Sequence, residues 1–335
     1  MRGRRWLGRL VLLVLALVIA AVVIDRVGRI DWAAVWDALR HLSWWQPLVL
    51  LVVVMVRQVL NAMPLHFYIE GLSVRRATMN DLGAILMAMV APPPADYAMR
   101  VTMFASWDIP AARGLAGASM NTMTFYIARF STPLVGFALV VAIGGDWSYR
   151  WADLISVAIA AAIAVGLMLV LHSDSLAHSV GLRSGRLVRR FRHSVDPEAW
   201  ARSCTDFRGH VAARFRYGFP RSLAAIVGML VADLTILVLC LRFVGVSAPE
   251  VSLTEIAIAY LFAYPLTFFP FSGIGIVDSL IVAGLVEAGG IAVEAPAVAA
   301  LMVWRIFTVG VPVLLGLGAV ALWRRTTSRE SAATT

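Results

Sequence analysis

The fold class this sequence predicts is an all-α polytopic membrane protein, and three observations predict it. Of its 335 residues, 60% are hydrophobic and 15% charged, with a mean hydropathy of +0.82. A soluble domain of that composition would expose apolar surface and aggregate. Second, all 29 basic residues are Arg, and they are unevenly placed. Reading the loops puts 20 on one side, Arg26, Arg29, Arg40 and Arg150 on the other, and Arg57, Arg100, Arg129, Arg242 and Arg305 inside apolar segments. That is the positive-inside pattern, so the net charge of +9 marks membrane orientation rather than a nucleic-acid footprint. Third, the apolar runs come in two lengths. Some reach the ~20 residues a helix needs to cross ~30 Å of hydrocarbon, whereas others are shorter and stop at Pro or Gly.

Arg2, Arg4, Arg5 and Arg9 precede an apolar run from Leu10 to Ile24 that ends at Asp25-Arg26. Without a small-residue cleavage site this reads as a retained first helix with its N-terminus inside. Residues 31–45 mix charge with Trp32, Trp36, Trp44 and Trp45, as a segment at the outer interface does. A second helix, about 46–69, carries Arg57, Asn61 and Pro64, which should face protein rather than lipid. After Arg75-Arg76 a short apolar arm from Leu82 stops at Pro92-Pro93-Pro94, and a second arm with Asp96, Tyr97 and Arg100 ends near Pro110. A long helix to about Gly144 follows, with Arg129 and Pro133.

The second half begins with a helix over about 152–171 and a basic stretch, 172–219, with nine Arg and four acidic residues. This reads as one long polar cytosolic loop. A helix from Arg221 to Val244 carries Asp233 and Arg242. Two short arms then flank Phe-Phe-Pro-Phe-Ser-Gly-Ile-Gly-Ile-Val-Asp (268–278), and a last helix, about 296–323, carries Arg305. The tail 326–335 reads as disordered.

Each half therefore reads as helix, helix, short-armed re-entrant hairpin, long helix with an Arg. The first repeat occupies 1–150 with its hairpin at 80–107, and the second occupies 151–325 with its hairpin at 255–290. A hairpin returns to the side it entered, so each unit crosses three times and the second inserts upside down, an inverted repeat. Broken helices of this kind lie at membrane depth against protein or water.

The chemistry-bearing residues concentrate at the hairpins. Asp96 and Arg100 stand one helical turn apart and can pair. Gly273 and Gly275 precede a helix start, where open backbone amides bind anions, and Asp278 and Arg305 follow. Ionised groups at the bilayer centre cost at least ~2.5 kcal/mol each, so Asp96, Arg100, Arg129, Asp278 and Arg305 must pair or line a wet cavity. They either lock the two hairpins as mutual ion pairs, or the arginines hold an anionic headgroup while the acids balance charge, take an amine or carry a proton. Cys204 and Cys240 lack CxxC spacing, and His172, His178, His193 and His210 lack metal-ligand spacing, so no metal or cofactor is expected.

These motifs resemble the transmembrane flippase-like domain of the lysylphosphatidylglycerol synthase family. That family has a Pro motif followed by Gly-Glu and Arg, held here by Pro92 to Arg100 with Asp96-Tyr97 in place of Gly-Glu. Its Pro-x-x-Gly-x-Gly-x-x-Glu motif is matched by Pro270, Gly273, Gly275 and Asp278, with Asp for Glu, and its later Arg, Pro and Gly by Arg305, Pro312 and Gly316. The resemblance implies movement of a lipid between leaflets, such as an aminoacylated, polyprenyl-linked or glycosylated lipid. It implies substrate contacts for Asp96, Arg100, Arg129, Gly273, Gly275, Asp278 and Arg305. No stretch corresponds to the soluble aminoacyl-transferase domain of some members, so lysyl-lipid synthesis is not expected.

The leading expectation is a non-enzymatic flippase of the cytoplasmic membrane, with both termini cytosolic, no nucleotide site and no nucleic-acid partner. The alternative is a subunit that docks a cytosolic lipid-modifying or envelope-synthesis enzyme through 172–219. A membrane-embedded lipid-phosphate enzyme fits less well, because no His lies near the motifs.

Overall fold

The computed structural model describes residues 43–91, 94–144 and 196–333, with isolated helical positions between 158 and 189. The expected first helix at 10–24, most of 31–45 and nearly all of 152–171 lie outside the described residues. Those described form α1 (Gln46–Tyr68), α2 (Val74–Val90), α3 (Ala95–Ala105), α4 (Ala111–Ala142), α5 (Pro197–Phe243), α6 (Leu253–Ala263), α7 (Ile276–Gly289), α8 (Glu294–Arg305) and α9 (Val311–Ala333), with no strand among them. Four stretches are long and apolar enough to cross a membrane: Gln46–Tyr68, Ala111–Ala142, Arg216–Phe243 and Ile291–Thr327. They coincide with the expected spans in the described part of the chain.

The short helices α2 and α3, then α6 and α7, form two pairs, and at ~1.5 Å per residue none exceeds ~26 Å. Their breaks have local causes. Helix α2 stops at Val90 just before the three prolines, and Pro94 caps α3. A proline restricts the residue before it and supplies no N–H. Helix α6 gives way at Pro265 to 3₁₀ turns over Tyr264–Phe268 and Pro270–Gly273. Gly275, at φ 87°, then caps α7. Gly273 is also in the left-handed region, at φ 63°, and a Cβ there would lie 2.5 Å from the Leu266 carbonyl oxygen, so only glycine fits.

Three expectations are corrected. The first arm of the first pair begins at Val74 rather than Leu82, with Arg75 and Arg76 inside its first turn. Residues 197–219 are not loop but the N-terminal part of α5, a single helix of 47 residues capped by the Asp196 carboxylate. Helix α9 continues to Ala333, through most of the tail read as disordered.

Helix α5 packs along α1, α2 against α9, and α6 against α4. The largest buried cluster joins α1, α5, α6, α7 and α8 through residues such as Val54, Met229, Ile236, Tyr260 and Trp304. A second, around Ile69, Phe104 and Ala118, ties α3 to the spans beside it. Two glycines set the approach of the short helices: a Cβ on Gly316 of α9 would meet the Leu82 carbonyl oxygen at 2.6 Å, and one on Gly136 of α4 would meet the Phe262 ring at 3.1 Å.

The prolines inside the long helices are accommodated differently. Pro133 has no N–H for the Arg129 carbonyl, and Pro265 has none for the Leu261 carbonyl. The buried Thr132 hydroxyl lies 2.8 Å from the first oxygen and 2.9 Å from the second, so its one proton serves two acceptors orphaned by different prolines. This joins the bend of α4 to the break after α6. Ahead of Pro312 the helix instead widens to a π turn over Ile306–Gly310, directly after Arg305. That widening relieves the clash a proline ring makes with the carbonyl four residues earlier. In the loop between α5 and α6 the Ser247 hydroxyl and N–H each donate to Glu250 at 2.6 Å, which holds that carboxyl below its ordinary range.

Candidate functional site

Among the described residues three buried or half-buried ion pairs and one unpaired arginine, Arg129, lie around the helix breaks. In the first helix pair, Arg100 of α3 donates from Nη2 to Asp81 of α2 at 2.8 Å and from Nη1 to Asn80 Oδ1 at 3.0 Å. The other Asp81 oxygen accepts from Asn61 of α1 at 2.6 Å, and Asn80 donates back to the Arg100 carbonyl at 3.1 Å. Every oxygen of Asp81 is thus engaged and its side chain is only 4% exposed. The network fastens arm to arm and both arms to the second span.

The second pair is fastened another way. Arg305 of α8 donates from Nε to Asp278 of α7 at 2.7 Å, and the other Asp278 oxygen caps α7 by accepting from the Gly275 N–H at 2.7 Å. Arg305 Nη1 reaches the carbonyl of Ser272 at 3.4 Å, a non-glycine residue held at φ 56°. The guanidinium lies over the Trp304 ring, 4.6 Å from its centroid, and its buried Nη2 has no hydrogen-bond partner among the described residues.

A third pair crosses between the halves. Arg57 of α1 donates from Nε to Asp233 of α5 at 2.6 Å, and the Tyr260 hydroxyl donates to the second Asp233 oxygen at 2.9 Å. The Tyr260 ring stands edge-on to Trp304 with centroids 6.4 Å apart and beside Tyr264 at 5.2 Å. These contacts run without a gap from Arg57 to Arg305.

Arg129 differs from all of these. It makes no ion pair with any described residue, and its Nε is buried without a partner. Its guanidinium is held over the rings of Phe125 and Tyr126, at 4.5 and 5.6 Å, and it lies within electrostatic reach of Tyr260 and Tyr264. The Tyr126 and Phe130 rings in turn pack against Phe268 at the break of the second pair.

Of the seven residues singled out in the sequence, the structure joins Asp278, Gly275 and Arg305 directly. It separates Asp96 from Arg100, whose acid is Asp81; Asp96 stays half-buried in the first turn of α3. Gly273 and Gly275 do not offer open amides, because the Gly273 N–H donates to the Phe269 carbonyl at 3.2 Å and that of Gly275 to Asp278. Of the two partners open to Arg129, an acid or a headgroup, no acid is present among the described residues. Arg57 and Asn61 face protein as expected, and Arg57 finds its acid in Asp233. Asn80, Asp81, Tyr260, Tyr264 and Trp304 were not singled out: Asp81 falls one residue before the arm as drawn, and an aromatic in an apolar run gives no sign of its hydroxyl's partner. Among the described residues no group of His, Cys, Asp and Glu could hold a metal ion.

No curated protein matches the chain significantly. The family model described as lysylphosphatidylglycerol synthase TM region matches residues 7–316, nearly the whole sequence. Its spans, its broken helix pairs and this match together identify the chain as a member of the lysylphosphatidylglycerol synthase transmembrane-region family, a membrane protein with a lipid-related role.

Proposed function

We propose that the protein is a non-enzymatic transporter that moves an anionic, polyprenyl-linked or glycosylated lipid between the leaflets of the cytoplasmic membrane. The observation that carries this reading is Arg129: a cation inside a spanning helix, with no acid of its own, beside a break in the helices. Such a charge is costly in hydrocarbon, and a headgroup anion would offset that cost. Arg305, with one N–H still unpartnered, is the second contact, and Asp96 or Asp278 is the proton carrier if transport is driven uphill.

The inverted-repeat reading is supported by reciprocal packing. The first arm of each short pair rests on the long helix that follows the other pair, at Gly316 in one case and Gly136 in the other. Two re-entrant hairpins from opposite faces could then rock about one site without a covalent step. Both termini and residues 172–219 lie on the cytosolic side in this reading.

The purified protein in liposomes is expected to move a fluorescent lipid from a headgroup panel between leaflets without ATP. Asp278→Asn is expected to slow that movement or remove its response to a pH gradient. If no lipid in the panel moves faster than in protein-free liposomes, transport is overturned. One observation favours the docking alternative in that event: at ~1.5 Å per residue α5 is ~70 Å long, and its candidate span begins only at Arg216. The part before Arg216 would project from the membrane and could receive a cytosolic enzyme.

A further inference from the structure

Charge and hydrogen-bond accounting around Tyr260 narrows the ligand, given the transport reading above. Of the five arginines inside apolar segments, three have one acid each: Arg57 has Asp233, Arg100 has Asp81 and Arg305 has Asp278. Arg242, one residue before the end of α5, donates instead to the carbonyls of Val246, Ser247 and Val251. Arg129 has neither an acid nor such carbonyls among the described residues, which leaves its positive charge unmatched. Asp96 does not balance it through contact, since it pairs with no described cation; it occupies the first turn of α3, where the helix dipole favours an acid.

Apart from the Ser222 hydroxyl, the buried side-chain atoms without a partner among the described residues are Gln58 Nε2, Arg129 Nε, Trp304 Nε1 and Arg305 Nη2. All four are N–H donors. They belong to residues joined by the contacts around Tyr260: Gln58 accepts from Arg57, Arg57 and Tyr260 share Asp233, Tyr260 abuts Trp304, and Trp304 carries Arg305. The Arg129 guanidinium is in electrostatic reach of Tyr260 and Tyr264. Among the described residues the surroundings of Tyr260 are therefore short of acceptors, and Arg129 is short of a negative charge.

We propose that the Arg129 guanidinium, on its shelf of Phe125 and Tyr126, binds the phosphodiester of a lipid that carries a single net negative charge. A phosphodiester brings two free oxygens that accept from a planar guanidinium in bidentate fashion. It also brings one charge and no more. A phosphomonoester carries about −1.5 to −2 near neutrality and would leave the interior negative. A zwitterionic headgroup brings its own cation and leaves the excess of Arg129 in place. A carboxylate can supply the charge, but it can lose it by protonation at membrane depth, where burial favours the neutral form. Both a glycerophospholipid with one phosphodiester and a sugar joined to a polyprenol through one phosphate satisfy these conditions.

The test is thermal stability of the full chain in detergent with added phosphatidylglycerol, phosphatidylcholine, phosphatidic acid or oleate, and with glycerophosphoglycerol as the same headgroup without tails. Ligand that binds the folded state raises the melting temperature. Phosphatidylglycerol is expected to give the largest rise. Arg129→Gln is expected to weaken that response about tenfold or more, as loss of a charge-assisted hydrogen bond does, and to leave lipid-free stability unchanged or higher, since no acid is orphaned. A rise with glycerophosphoglycerol that also needs Arg129 supports the phosphodiester and shows that the tails are dispensable.

A phosphatidylglycerol response that survives intact in Arg129→Gln overturns the site. An Arg129-dependent response that is as large for phosphatidylcholine, phosphatidic acid or oleate overturns the singly charged phosphodiester. Failure of the transport reading is separate, because it is seen in liposome flipping and not in binding: a lipid other than a phosphodiester that flips in an Arg129-dependent way sinks this inference and leaves transport standing.

Discussion

The two short helix pairs solve one problem with opposite placements of charge. In α2 and α3 both members of the ion pair lie inside the helix pair, Asp81 on one arm and Arg100 on the other, with Asn61 and Asn80 completing every bond. In α6 and α7 only the acid lies inside, at Asp278, and its arginine stands on the next helix. The first pair holds both charges itself, and α1 adds only the neutral Asn61. The second is tethered to α8, beside the π turn, through a contact that still has an unused donor at Arg305 Nη2. A pair whose hydrogen bonds to the acid are all engaged offers a ligand no opening there, whereas the spare donor of Arg305 leaves the second fastening open to a ligand.

If that contrast holds, removing the acid of the first pair has the larger consequence. Asp81→Ala leaves Arg100 buried without its anion, and breaking a buried pair from one side costs about 3–5 kcal/mol. Arg305→Ala removes a partner from Asp278, but that carboxylate keeps the Gly275 N–H and is 21% exposed. Its loss should be about 1.5–3 kcal/mol, the range for hydrogen bonds to charged groups. Melting temperatures of the two variants in one detergent decide the matter. Equal losses would erase the distinction between the pairs, and recovery of stability in a double Asp81→Asn, Arg100→Gln variant would sharpen it.

How far the sequence carried the reading follows from the same pairs. Breaks at prolines and glycines are local events, so both short pairs and the described spans are legible from run lengths and from Pro92–Pro94, Pro270 and Gly275, whereas the earlier end of α6 at Ala263, before Pro265, is not. The Asp278 and Arg305 pairing was reachable because both residues stand in one motif set. Arg100 was given the wrong acid because Asp96, four residues away, offered a local partner, whereas Asp81 reaches it only through the fold of α2 back on α3. For Arg129 the sequence leaves an ion pair and a headgroup contact both open, because an acid that could reach it would come from another helix and run lengths do not show such contacts. Residues 197–219 looked like loop because charge density was read as solvent exposure, and a polar helix continuing a span has the same composition.

The glycines offer a second contrast, of intermediate size. A Cβ at Gly316 would press on backbone, the Leu82 carbonyl, whereas one at Gly136 would press on the side-chain ring of Phe262. A ring can turn, but a helix backbone moves only with its neighbours. Gly316→Ala should therefore cost about 1–3 kcal/mol, the usual toll of overpacking, and Gly136→Ala less than half of that. Loss of folded protein on heating measures both, and a greater loss at Gly136 would mean that the α4 and α6 contact, not the α2 and α9 contact, is the tighter joint between the halves.

The smallest expected effect concerns how each pair begins. Ser73 caps α2 and Ser252 caps α6, and in both helices the third residue after the cap decides the rest. At α2 that residue is Arg76, so the only side-chain bond is a long one, from the Arg76 N–H to Ser73 Oγ at 3.3 Å. At α6 it is Glu255, whose carboxylate accepts from the Ser252 N–H at 2.7 Å and from its hydroxyl at 2.8 Å while Ser252 Oγ accepts from the Glu255 N–H. That reciprocal box satisfies donors that a helix start otherwise leaves to water. The acid also complements the helix dipole, which an arginine in the first turn opposes. Ser252→Ala should cost about 1 kcal/mol, and Ser73→Ala only a few tenths, since there is one weak bond to lose. Hydrogen exchange of the amides in the first turn of each helix reads this directly: protection should fall severalfold over 253–256 in the first variant and barely change over 74–77 in the second. A larger fall at α2 would mean that its start is held by Ser73 despite the arginines, and that α2 is not secured chiefly by the Asp81 network one turn further in.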